Sequence, residues 1–98
     1  MTTLTANWTN PTPNARQAAI RGVVVSLAVA AATPVFSPIT EVAAPATTFT
    51  QTSIDPGDYV LRLVVVDVDG VSGAPVDTAF RVAFDAPGVV SNVVITVT

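Results

Sequence analysis

The chain has 98 residues and a mass of 10.0 kDa, enough for one modest core: a folded chain of this size exposes roughly 5,200 Å², against about 14,500 Å² when unfolded. Half of the residues are apolar and 11% are charged, which excludes long disordered tails and strongly charged arms; Cys, His and Lys are absent, which removes disulfide frameworks, zinc knuckles and thiol or imidazole catalysis. Four Arg against seven acids leave a net charge of −3, so nucleic acid is not an expected partner.

From the N-terminus, Leu4, Ala6 and Trp8 alternate with Thr3, Thr5 and Asn7, which puts three apolar groups on one face of a short strand. Asn10-Pro11-Thr12-Pro13-Asn14 follows as a loop, because Pro has no ladder donor. Arg16 and Arg21 then precede the apolar run 23–32, a pattern like that of a secretory signal, but a Trp-containing segment comes before it. The uncharged stretch 22–40 is interrupted by Thr33, Pro34, Ser37, Pro38 and Thr40, short of the about 20 apolar residues that cross a bilayer, so no membrane partner is expected. A buried strand over residues 21–30 fits better, with Val23, Val25, Leu27 and Val29 on one face and Val24, Ser26, Ala28 and Ala30 on the other.

Residues 35–42 contain Pro38 and read as an edge strand, Ala43-Ala44-Pro45-Ala46 as a loop, and residues 47–54, Thr-rich around Phe49, as an outer strand. Asp55-Pro56-Gly57-Asp58 is a tight turn that launches the strongest strand, in which Tyr59, Leu61, Leu63 and Val65 alternate with Val60, Arg62, Val64 and Val66. Asp67-Val68-Asp69-Gly70 turns the chain into a strand over 76–85 with Phe80, Val82 and Phe84 on one face; Ala86-Pro87-Gly88 ends it. Val93, Ile95 and Val97 alternate with Asn92, Val94 and Thr96 in a last strand, giving seven candidates and an all-β sandwich in a single domain, residues 1–98, with 89–98 as an additional C-terminal strand.

Trp8-Thr9-Asn10-Pro11, the stretch Ile54-Asp55-Pro56-Gly57-Asp58-Tyr59, and the strand ending Val66-Asp67-Val68-Asp69-Gly70 resemble the fibronectin type III-like group of immunoglobulin-like sandwiches. The resemblance implies a seven-stranded antiparallel immunoglobulin-like (fibronectin type III-like) β-sandwich, with Trp8 in the core, Ile54 as the aliphatic residue of the corner and Tyr59 as the corner tyrosine. That family has a strand before its Trp strand, whereas seven residues precede Trp8 here. The C-terminal strand is therefore expected to fill the first-strand slot, to extend the sheet beyond residues 76–85, or to pair with a neighbouring subunit. Ala44-Pro45-Ala46-Thr47-Thr48-Phe49 ahead of the Pro-Gly-x-Tyr turn is similar to modules of tailed-phage virion proteins. This likeness implies a non-enzymatic structural virion protein, a capsid decoration, cement or tail-associated module whose partners are other virion proteins. The alternative is an adhesion or carbohydrate- and receptor-binding module on a phage tail or bacterial surface. A chain that starts at its own Met without a signal or anchor is expected on the virion rather than exported.

The Ser and Thr hydroxyls have no His or Lys to activate them, so no catalytic residue, enzyme activity or cofactor is expected. Asp67 and Asp69 are candidate calcium ligands, with Asp55, Asp58 and Asp77 nearby in kind; lacking the D-x-D-x-D-G spacing with a trailing Glu, they read better as turn residues, and no metal is assigned. Of six aromatics only Phe36 is expected outside, which makes a poor sugar platform. The expected core is Trp8, Tyr59, Leu61, Leu63, Phe80 and Phe84. The second apolar face of the sandwich, Val24, Ala28 and Ala30 beside Val60, Val64 and Val66, is expected to be hidden by other chains, and with Val93, Ile95 and Val97 it forms the candidate interface of a homo-oligomer.

Overall fold

The Val- and Thr-rich runs cut by Pro and Gly fold into six antiparallel strands: β1 (Leu4–Asn7), β2 (Ile20–Val29), β3 (Ser37–Ala43), β4 (Thr48–Gln51), β5 (Gly57–Asp67) and β6 (Val76–Val82). The structure is a computed structural model and describes residues 2–98, among which there is no helix. The strands form two sheets, one ordered β3-β2-β5-β6 and the other β1-β4.

The long central pair, β2 against β5, runs from Ile20 opposite Asp67 to Val29 opposite Tyr59 and organises the larger sheet. Both strands are apolar along most of their length and rich in Val, which suits a pleated surface packed on both faces. Inward from it, Val23, Val25 and Leu61 are buried with Phe49 of β4, and Leu4, Ala6, Trp8, Leu27, Val42, Leu63 and Phe80 pack around Val25, Phe49 and Leu61. At about 1.5–3 kcal/mol for each large apolar side chain fully buried, this cluster is the main source of stability. Pro38 sits on an edge strand, as its missing donor requires, and β3 slips register against β2 between Val25 and Ser26. Gly22 lies between Ala43 and Val66, where a Cβ would come within 2.6 Å of the Val42 carbonyl oxygen, so only glycine lets β3 approach β2 so closely.

The crossing from β4 to β5 is fixed by a corner. Ile54 is buried, Gly57 takes a φ of +151°, and the Tyr59 hydroxyl donates to the Asp55 carbonyl at 2.8 Å. The Tyr59 ring stacks on Phe80 with centroids 5.5 Å apart, which ties the corner to β6. Trp8 lies half-buried against the core, with its indole N–H donated to Asn10 Oδ1 at 3.0 Å.

Two expectations need correction. The sixth strand stops at Val82, opposite Gly57, the first residue of β5. Beyond that pair β6 has no neighbour to continue the ladder, so Phe84 is 76% exposed rather than in the core. Residues 83–98 likewise belong to no strand, so the described chain has six strands rather than seven, and the apolar alternation at Val93, Ile95 and Val97 finds no partner within the chain. The molecule extends over 84 × 28 × 18 Å with a radius of gyration of 20.4 Å, where a compact chain of this length has roughly 13 Å.

In dilute protein, Leu61→Ala is expected to cost about 2–5 kcal/mol and Phe84→Ala less than about 0.5 kcal/mol, measured by urea denaturation. A large loss at Phe84 would place that ring in the core after all.

Candidate functional site

The outer face of the larger sheet is already covered from within the chain. Arg62 lies across it, its guanidinium 3.9 Å from the centre of the Phe36 ring and bonded twice to Asp77 at 2.7 and 2.9 Å. Arg21 bonds Glu41 in the same forked way at 3.0 and 2.8 Å. Beneath these long side chains Ala28 is only 4% exposed, Val66 and Ser26 are buried, and Val24, Val60 and Val64 are half-buried. Ala28 is therefore corrected from an interface residue to a buried one, and Val24 lies half-covered. Phe36, expected outside, is half-buried beneath Arg62. The bond to Arg62 holds the Asp77 carboxyl below its ordinary value, and that to Arg21 does the same for Glu41.

Asp67 and Asp69 close a turn. Asp67 Oδ1 accepts the backbone N–H groups of Asp69 and Val71, each at 2.9 Å, and the Asp67 carbonyl accepts from Gly70, whose φ of +81° the turn requires. Both aspartates, with Arg16, Thr9, Val65 and Val76, line an open cleft of about 720 Å³ at the end of the sandwich where β1 finishes and β6 begins. Among the described residues no group of three or more His, Cys, Asp or Glu side chains gathers.

The surplus apolar surface lies elsewhere, in the C-terminal segment. Val89 is 95% exposed and Ile95 83%, with Val90, Val93, Val94 and Val97 similarly bare. The total accessible surface is 7141 Å², about 1,900 Å² beyond the roughly 5,200 Å² of a folded monomer of this mass. The sandwich has its own opening on the free edge of β1. Trp8 N–H donates to the Thr47 carbonyl of the chain leading into β4, so by antiparallel alternation Leu4 and Ala6 also bond toward β4, while the N–H and C=O groups of Thr5 and Asn7 point away from it. Thr2 near the start of β1 shares a small cleft with Asp85, just past β6, and Thr9 beyond its end shares the larger one with Val76, where β6 starts. The first strand thus runs alongside β6, yet Val76 and Thr78 on the inner face of β6 are exposed. The inner face of β6 is open to solvent on the side of β1.

Sequence reading picks out the apolar alternation of the C-terminal segment, which lies exposed, but not the glycine contact at Gly22 or the arginine cover of the outer face. Neither has a local sequence signal, since each depends on which strands become neighbours. No protein-family model matches the chain, and no curated protein or solved structure matches it either.

The lowered Asp77 carboxyl contributes stability that is complete above its ordinary value of 3.8 and is lost as pH falls through the depressed value. Asp77→Asn is expected to lower the thermal midpoint at pH 7, with the deficit shrinking as the solution is acidified below 3.8. A deficit equal at both pH values would show that the ion pair contributes nothing.

Proposed function

We propose that this chain is an immunoglobulin-like, fibronectin type III-like sandwich that serves as a non-enzymatic structural module and works by association with copies of itself or with a protein lattice. The observation that carries this reading is the bare apolar segment 89–98 beside a sandwich with an open edge. Water-exposed Val and Ile side chains in an alternating row are costly to leave free, and a specific interface buries about 800 Å² per partner, well within the surplus surface here. The four-strand and two-strand layers, and the Tyr59 hydroxyl bonded to the chain four residues upstream, support the family resemblance. The likeness to tailed-phage virion modules supports a place on a particle, as a capsid decoration, cement or tail-associated protein.

Light scattering during size-exclusion chromatography tests the reading. The expected result is a mass that is a multiple of 10.0 kDa at micromolar concentration, falling on dilution. A monomer at every concentration, with no retention on particles, would overturn it, and specific retention on a glycan array would favour an adhesion module instead.

A further inference from the structure

We infer that residues 89–98 of one copy pair with the free edge of β1 in a second copy, so that each sandwich is completed by its neighbour's C-terminal strand. This deepens the associative reading above and rests on it.

Three observations converge on the slot. The backbone groups of Thr5 and Asn7 point from the open edge of β1 and offer hydrogen bonds in strand register. Beside that edge the inner face of β6 is uncovered at Val76 and Thr78, and Phe80 is only half-buried. Around the core, Leu4, Ala6 and Trp8 are also only half-buried, so the apolar interior is open on this side.

The occupant is set by pattern and by reach. Once Asn92 gives up the φ of +54° it has in the free segment, residues 89–98 in extended form put Val89, Val93, Ile95 and Val97 on one face, with Asn92 and Thr96 among the residues on the other, which is the alternation wanted by a strand with one face on a core. Ten residues extend about 33 Å, longer than β1 needs. The edges of the large sheet suit it less, since β3 carries Pro38 and β6 carries the Asp77 and Arg81 ion pairs, and the outer edge of β4 lies on the other side of its sheet from β1, whose ends share the clefts with β6.

Donation to another copy, rather than folding back, follows from the exit of the chain. Residues 83–98 are exposed throughout and the long axis of the molecule reaches 84 Å, so the segment runs outward from the sandwich, and Pro87 with the residue held extended before it favours no tight reversal there. Folding back would also run the segment parallel to β1, the weaker ladder, whereas a strand from a neighbour is free to pair antiparallel. Two copies that exchange these strands reciprocally close a dimer, and copies that pass them on head-to-tail close a larger ring or continue as a fibre.

The absence of Cys makes cross-linking clean. Thr5→Cys, whose side chain is exposed on the solvent face of β1, is mixed with Asn92→Cys, Val94→Cys or Thr96→Cys, which together cover three registers of the same face. Paired residues on neighbouring strands have Cα atoms about 5.5 Å apart, within disulfide reach. The expected result, with circular dichroism matching the unsubstituted chain, is a covalent dimer that forms in at least one mixture under mild oxidation and exceeds by tenfold or more the yield from either variant alone. Oligomers that give no such enrichment in any register overturn the strand assignment while leaving association intact. A monomer by light scattering overturns both. A disulfide forming within single chains of the Thr5→Cys/Val94→Cys double variant at high dilution shows the segment folding back and overturns donation.

Discussion

Two short strands lie over a sheet of four, and since neighbouring strands are about 4.8 Å apart, the smaller layer spans roughly half the width of the larger. The interior therefore closes well around Val25, Phe49 and Leu61 and poorly toward β6. The half-buried state of Trp8, the exposed inner face of β6 and the usefulness of a further strand all follow from this unequal layering. The corner at Tyr59 matters for the same reason, because it anchors the crossing between the layers where they do overlap.

The other face of the large sheet illustrates how an apolar surface is managed without a partner. Arg62 and Arg21 lay their stems over Val- and Ala-lined pleats while their guanidinium groups find Asp77, Glu41 and the Phe36 ring. That arrangement uses half of the chain's four arginines. The C-terminal segment has no charged residue at all from position 86 onward, so it has no comparable means of screening its own side chains from water.

Much of the architecture was legible in the sequence because β-alternation records which face of a strand meets the core. It placed the six strands near their observed positions, while the missing donor of Pro38 marked β3 as an edge and the family resemblance, not alternation, pointed to Tyr59 and Ile54 at the corner. Alternation does not record whether a neighbouring strand is present. Phe84 continues the period of Phe80 and Val82 beyond the pair with Gly57, where β5 begins, and so reads as core in sequence, and residues 89–98 read as a strand although no edge within the chain receives them. Ala28 is buried on a face where Arg62 reaches the Phe36 ring and Asp77, contacts between residues distant in sequence that no local pattern announces.

The unequal layering is tested most directly by amide hydrogen exchange at Thr5 and Asn7 in the unsubstituted chain. The account predicts that both amides are protected at concentrations where oligomers form and exchange freely on dilution, while Val25 and Leu61, inside the permanent ladder, remain protected throughout. Thr5 and Asn7 amides that exchange freely in the assembled protein, or stay protected in the dilute monomer, would contradict it.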